Sequence, residues 1–290
     1  MTTLRLEWPQ YQGGEPTAVE SLTPGLTPEQ ARLAYGIGGQ IAALVAPTGS
    51  SPRVKVPVAS YHSDPGERDG IIDKSEIVAQ NRFALNALLS HDADRVVTIG
   101  GCCSVSAVPF SYLASRYPDD LAIIWLDSHP DTNLPGGINH GFNTMVVSHL
   151  IGKGDDELLA QLPAVLPASR VALTGTHAWD DQDPENIDRW GLTRIPPTGH
   201  DAFIAQVLEW VASTGCTRVA LHFDLDVISS RQAAFGMAHE PDGIPLETAA
   251  ATIAAVAESF DLVGLTVSEF VSREAAILRS LLGGLPLLRS

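Results

Sequence analysis

The chain is short of cysteine, of positive charge and of long apolar runs, and each shortage excludes something. Three cysteines in 290 residues (Cys102, Cys103 and Cys216) are too few for a disulfide scaffold. Adjacent cysteines rarely pair, so a reducing, cytoplasmic compartment is expected. Lys and Arg number 18 against 34 Asp and Glu, a formal net charge of -16. Such a surface repels phosphate backbones and anionic lipids, so neither nucleic acid nor membrane is an expected partner. No apolar run approaches the ~18 residues of a membrane span. The first residues, MTTLRLEWPQYQGG, lack a basic stretch followed by an apolar one, so no signal peptide is expected. There is no internal repeat and no low-complexity tract.

What is present is enough for a large core: 44% of residues are hydrophobic and 18% charged. The length suits one α/β domain spanning 1–290. Continuously apolar runs at 54–59, 95–100, 121–127, 170–175, 218–224 and 262–270 predict strands, with a weaker one at 4–8. Runs that do not alternate suit strands buried on both faces of a parallel sheet. Helices are predicted between them: one opening at Thr27-Pro28-Glu29, then 74–90, 104–116, 200–214 and 246–259. This order predicts a mostly parallel sheet with helices on both faces. Ligands in such folds bind at the carboxyl ends of the strands.

Four predicted strand ends carry chemistry. Gly100-Gly101-Cys102-Cys103-Ser104 follows one, Asp127-Ser128-His129-Pro130-Asp131 the next, Asp224-Leu225-Asp226 a third, and Ser268-Glu269 the last. Alternate residues of an extended chain share a side, so 127, 129 and 131 converge, as do 224 and 226. Four carboxylates this close repel one another, and a pair of divalent cations is the natural compensation. The Gly-Gly turn lacks the lysine of a phosphate loop.

These motifs, in this order, resemble the arginase/agmatinase (ureohydrolase) superfamily, over the chain from about residue 70 onward. The resemblance implies a three-layer αβα sandwich around a mostly parallel sheet of about eight strands. It implies a hydrolase for C–N bonds of small guanidino compounds, working through a metal-bridging hydroxide between two divalent cations, manganese in the family. Carried over residue by residue, Asp127 and Asp224 would bridge the cations, His129 and Asp226 complete one of them, and Asp131 serve the other. Cys103 stands where the family has its remaining histidine ligand. Asp131 would accept the hydrogen bond of the attacking hydroxide, His140 would shuttle protons, and Glu269 would pair with the guanidinium. Asn133 and Asp180 match substrate contacts. The family is often trimeric or hexameric, so a homo-oligomer is implied by analogy.

The departures concern the same residues. A thiolate at Cys103 shifts preference from manganese toward zinc, iron or cobalt. Some members of the superfamily with cysteine here act on N-hydroxylated guanidines, and the Cys-Ser-Val-Ser run at 103–106 is similar to theirs. Only eight residues separate Asp131 from His140, and Ile138 replaces a polar residue. The amino-acid end of arginine is therefore not the expected anchor. Cys103 reads as ligand, bystander or nucleophile; the last would make a cysteine-dependent guanidine-modifying enzyme, and a non-catalytic homologue is the remaining alternative. His177 either lines the pocket or caps a turn. Asp180 and Asp183 share a Trp-Asp-rich loop, where a family acidic residue often contacts the substrate amine; a solvated loop is the equal alternative. His222, on the same face as Asp224, reads as a satisfied core histidine, with support of the ligands as the other reading.

Overall fold

The computed structural model describes residues 1–271 and 273–289. Eight strands form the central sheet: β1 (Thr3–Trp8), β2 (Arg53–Lys55), β3 (Arg95–Gly100), β4 (Leu121–Leu126), β5 (Val171–Thr174), β6 (Thr193–Ile195), β7 (Arg218–Asp224) and β8 (Asp261–Ser268). Their spatial order is β2-β1-β3-β8-β7-β4-β5-β6. Every pairing in this sheet is parallel. The expected αβα architecture is therefore present, with the eight strands fully parallel.

Alternation along the strands assigns two cores. Ile123 and Trp125 face one, with Val96 and Leu173; it is covered by α3 (Lys74–His91), α4 (Ala107–Arg116) and α5 (Val146–Leu150). Ile124 and Leu126 face the other, with Val97 and Leu221; it is covered by α8 (His200–Thr214), α9 (Leu246–Ser259) and α10 (Ala275–Gly284), joined by Ala42 of α2 (Pro28–Val45). Because both of its faces are covered, β4 is wholly apolar, and β7 is apolar except for Arg218, His222 and Asp224. α2 begins as its sequence predicts. The Thr27 hydroxyl accepts from the Gln30 amide (3.3 Å) and the Gln30 side chain accepts from the Thr27 amide (3.0 Å). Gly215, at φ +74°, ends α8.

Several boundaries differ from expectation. The predicted strand 54–59 is only β2, because Pro57 has no amide for a ladder. The predicted helix at 104 begins as a 3-10 turn, Cys103–Ser106, and is α-helical only from Ala107. The strand at 262 stops at Ser268, so Glu269 lies beyond it in the left-handed region at φ +66°. Asp183, expected in a loop, opens α7 (Asp183–Trp190). Several elements were not foreseen, among them β6, α5, α10 and α1 (Pro16–Leu22) at the mouth of the site. Among the described residues no helix is long and apolar enough to cross a membrane.

Candidate active site

The strands β3, β8, β7 and β4 are neighbours in the middle of the sheet, so their carboxyl ends bring the four loaded turns together. The turn after β3 requires glycine. A Cβ on Gly101 would stand 1.8 Å from the Gln10 carbonyl oxygen. The close approach sends the chain back over β1 and leaves Cys103 at the start of the 3-10 turn. After β4, the Asp127 carboxylate accepts from the His129 amide (2.7 Å), which bends Asp127–Asp131 around the sheet edge. After β7, the Asp224 carboxylate accepts from the Asp226 amide (2.8 Å) in the same way. The Glu269 amide donates to the Gly101 carbonyl (2.6 Å), which ties the β8 end to the β3 turn.

Two groups of potential metal donors result. Cys103, Asp127, His222 and Asp224 form the first; Asp127, His129 and Asp226 form the second. The donor atoms of each group lie within 4.8 Å of one another, and Asp127 belongs to both. Cys103 Sγ is 2.9 Å from Asp224 Oδ2 and 3.9 Å from Asp127 Oδ2. His129 Nδ1 is 3.1 Å from Asp226 Oδ2, and His222 Nε2 is 3.6 Å from Asp127 Oδ2. Asp224 belongs to the first group alone, whereas the resemblance implied that it would be shared. Asp131 lies outside both groups. It is buried, its backbone is in the left-handed region at φ +50°, and its Oδ2 has no hydrogen-bond partner.

His222 is the residue that sequence reasoning undervalued. It is buried, its ring stacks on Trp125 at 3.6 Å between centroids and 6° between planes, and the Ser106 hydroxyl lies 2.7 Å from Nδ1. Burial holds its pKa below the ordinary histidine value, so the ring is neutral; the tautomer whose Nδ1–H donates to Ser106 offers the Nε2 lone pair to a cation, and the other donates from Nε2 to Asp127. The signal available was its position two residues before Asp224, which puts both side chains on one face of β7.

The electrostatics fit bound cations. Burial raises the Asp131 carboxyl well above the usual range, and the neighbouring Asp127 charge adds to it. Burial does the same to Asp224, helped by Asp226 and Asp127, and pushes Glu269 up to about 8. Burial opposes ionisation of Asp127 too, yet hydrogen bonds from His129 and His222 hold it at about 2. Burial works against a charge on His129, but Asp226 and Asp127 raise its pKa well above the ordinary value. Without cations the cluster therefore holds protons. Cations can take the place of those protons, and the unpartnered Asp131 Oδ2 and the thiol, imidazole and carboxylate donors suit them. Burial, then the Asp224 charge, also pushes the Cys103 thiol far up, which disfavours a free nucleophilic thiolate.

Cys103 and Asp224 of the first group and His129 and Asp226 of the second line a cavity of roughly 280 Å³, together with Tyr35, Asp131, Asp180 and Glu269; Asp127 and His222 are not part of its lining. Among the described residues no Lys or Arg lines it. Asp180 accepts from the Asn133 side chain (2.7 Å), and both line an adjoining outer pocket with Trp179. Asp183 lines the cavity as well, and anchors the loop by accepting from the Thr132 hydroxyl (2.6 Å) and the Asp180 amide (2.7 Å). His140 is not brought to the cavity. Its Nε2 is 3.0 Å from the Gly137 carbonyl oxygen and its Nδ1 is 3.1 Å from a Glu67 carboxylate oxygen. Asn139, the residue before it, lines the wall instead. His177 is also absent from the lining: Nδ1 is 2.7 Å from the Gly175 carbonyl oxygen, and Nε2 is buried without a partner. Sequence reasoning gave no role to Tyr35, which reaches the cavity from α2.

A fully parallel α/β sheet with two groups of potential metal donors at its carboxyl edge defines the class of fold and site. The chain belongs to the arginase family, whose model, described as "Arginase family", matches residues 49–273. Among curated relatives, the arginase of Staphylococcus aureus (strain MSSA476) is 27% identical over 187 residues, 60% of each chain. The match thus spans about 60% of that relative's length. Among solved structures, Entamoeba histolytica arginase superposes with a TM-score of 0.77 at 15% identity, covering 97% of this chain and 95% of that one. The proclavaminate amidino hydrolase of Streptomyces clavuligerus superposes with a TM-score of 0.69 at 17% identity, covering 99% and 91%. At these identities the superpositions bear on the fold alone.

Proposed function

We propose that this protein is a metal-dependent amidinohydrolase that cleaves a C–N bond of a small guanidino or N-hydroxyguanidino compound. The observation that carries the reading is the pair of donor groups sharing Asp127 beneath a cavity that Glu269 also faces. Cys103, Asp127, His222 and Asp224 would hold one divalent cation, and Asp127, His129 and Asp226 the other. Manganese is the family's cation, and the Cys103 thiolate would favour zinc, iron or cobalt in the first position. Bound there, the cations would acidify water and offset the negative charge that develops at the reacting carbon.

The chain's own residues supply the rest. Glu269 binds the guanidinium through charge-assisted hydrogen bonds. The buried Asp131 carboxylate, with one oxygen free of protein partners, accepts a proton from the attacking water and returns it to the leaving nitrogen. We place this transfer at Asp131 rather than at His140, whose ring is engaged by Gly137 and Glu67. Asp180 and Asn133 contact the far end of the substrate at the outer pocket. The three cysteines are buried and unpaired, which suits the cytosol.

The test is product analysis with cation-loaded protein against a panel of guanidino compounds, N-hydroxyarginine included. Release of urea or hydroxyurea from at least one of them is expected. No product from any compound, at full cation occupancy, would overturn the reading.

A further inference from the structure

The helix α2 comes very close to the site. A Cβ on Gly38 would stand 1.5 Å from the Phe270 carbonyl oxygen, and one on Gly39 would stand 2.7 Å from that of Gly100. Phe270 follows Glu269, and Gly100 opens the turn that carries Cys103. Glycine is the poorest helix former after proline, yet three of the four residues 36–39 are glycine. The sequence thus sacrifices helix propensity for a backbone-to-backbone approach to the two turns.

The side chain delivered by that approach is Tyr35. It is only 5% exposed and lines the cavity together with Glu269; burial first, then the Glu269 charge, pushes its hydroxyl well above the ordinary range. The Cys103 amide donates to Glu269 Oε1 at 3.2 Å, and Cys103 Sγ lies 3.5 Å from the same oxygen. The Glu269 backbone is pinned as well, at φ +66° with its amide on the Gly101 carbonyl. An ionised carboxylate has about four acceptor positions. Both Cys103 contacts fall on Oε1, which leaves Oε2 for the Tyr35 hydroxyl and for a planar cation.

We propose that Tyr35 is a positioning residue that fixes the Glu269 carboxylate for the substrate's guanidinium. The inference rests on the reading of Glu269 as the cation-binding carboxylate. Tyr35 lies in the first 48 residues, outside the stretch that the family model matches.

Tyr35→Phe keeps the ring beside Gly14 and removes only the hydroxyl. Loss of a hydrogen bond to a charged group should lower kcat/KM by about tenfold to a hundredfold, with cation content and melting temperature unchanged. In a Glu269→Gln background the same substitution should add less than about twofold, because the partner is already lost. Equal losses in both backgrounds would mean a structural role and would overturn the inference. The crystal structure of cation-loaded Tyr35→Phe gives a readout independent of turnover. The Glu269 carboxylate should leave the Cys103 amide or occupy more than one rotamer; an unmoved carboxylate would overturn the inference. A parent enzyme inactive on every guanidino compound would instead refute the functional reading, and the Tyr35→Phe structure would still decide the role of Tyr35.

Discussion

Chelated protein should lose stability as pH rises from about 6.5 to about 8. Glu269, Asp131 and Asp224 sit above the usual carboxylate range, chiefly through burial and further through the charges around them. Glu269 titrates at about 8, against 4.5 for the ordinary group. Between those values the folded chain holds a proton that the unfolded chain has released. The stabilisation this gives is full below the unfolded pKa and is lost as pH climbs through the folded one. His129 is raised also, so its contribution is full below about 6.5 and falls with pH in the same direction. His149 and His222 are lowered and act oppositely, but only below about 6.5, which is why the interval starts there. At 1.36 kcal/mol per pH unit, Glu269 alone removes about 2 kcal/mol over the interval. For a chain of this size that is on the order of 4–8 °C in Tm. Scanning calorimetry with and without chelator reads it directly. Saturating cation should flatten the dependence, and Glu269→Gln should remove its share in chelator. A Tm in chelator that stays level across the interval, or that falls equally with cation bound, would refute the electrostatic account of the site.

The remaining expectations follow from the donor geometry. Asp127→Asn should abolish both cations at once, whereas Asp226→Asn should weaken only the one at His129; elemental analysis of the two variants distinguishes shared from separate ligands. Glu269→Gln should keep the cations and lose about 30- to 150-fold in kcat/KM, the value of a charge-assisted contact worth about 2–3 kcal/mol; an unchanged value would mean the substrate is not cationic at that end. Cobalt-loaded parent should show a thiolate-to-cobalt charge-transfer band that disappears in Cys103→His, and that variant should prefer manganese more strongly; no band in the parent would remove Cys103 from the ligand set.

The fold was largely legible because buried parallel strands leave an unusually plain record. Ile123–Leu126 and Val219–Phe223 contain hardly a polar residue, since both of their faces are covered. The edges were less legible. β6, with Arg194 exposed, is too short and too mixed to stand out as a strand, and Pro57 cut short the run after Val54. In the site, the motifs at 103, 127–129 and 224–226 converge because each follows a central strand, and that can be inferred from local order alone. The position of His140 cannot. It depends on how the 132–141 loop folds against Glu67, a contact between distant segments. Tyr35 was missed for the same reason: it comes from a helix well removed in sequence from the motifs it serves. The glycines at 36, 38 and 39 were the available sign that a backbone comes close there.

The central claim is that divalent cations held by this cluster make the chain an amidinohydrolase. The most direct test measures turnover of the responsive guanidino compound by stripped protein, by the same protein reloaded with manganese, zinc or cobalt, and by Asp127→Asn treated identically. Product should form only in the reloaded parent, in proportion to bound cation, and Asp127→Asn should form none. Full turnover by the cation-free parent would contradict the claim and favour the cysteine-dependent alternative, and cation binding without turnover of any guanidino compound would favour a non-catalytic member of the family.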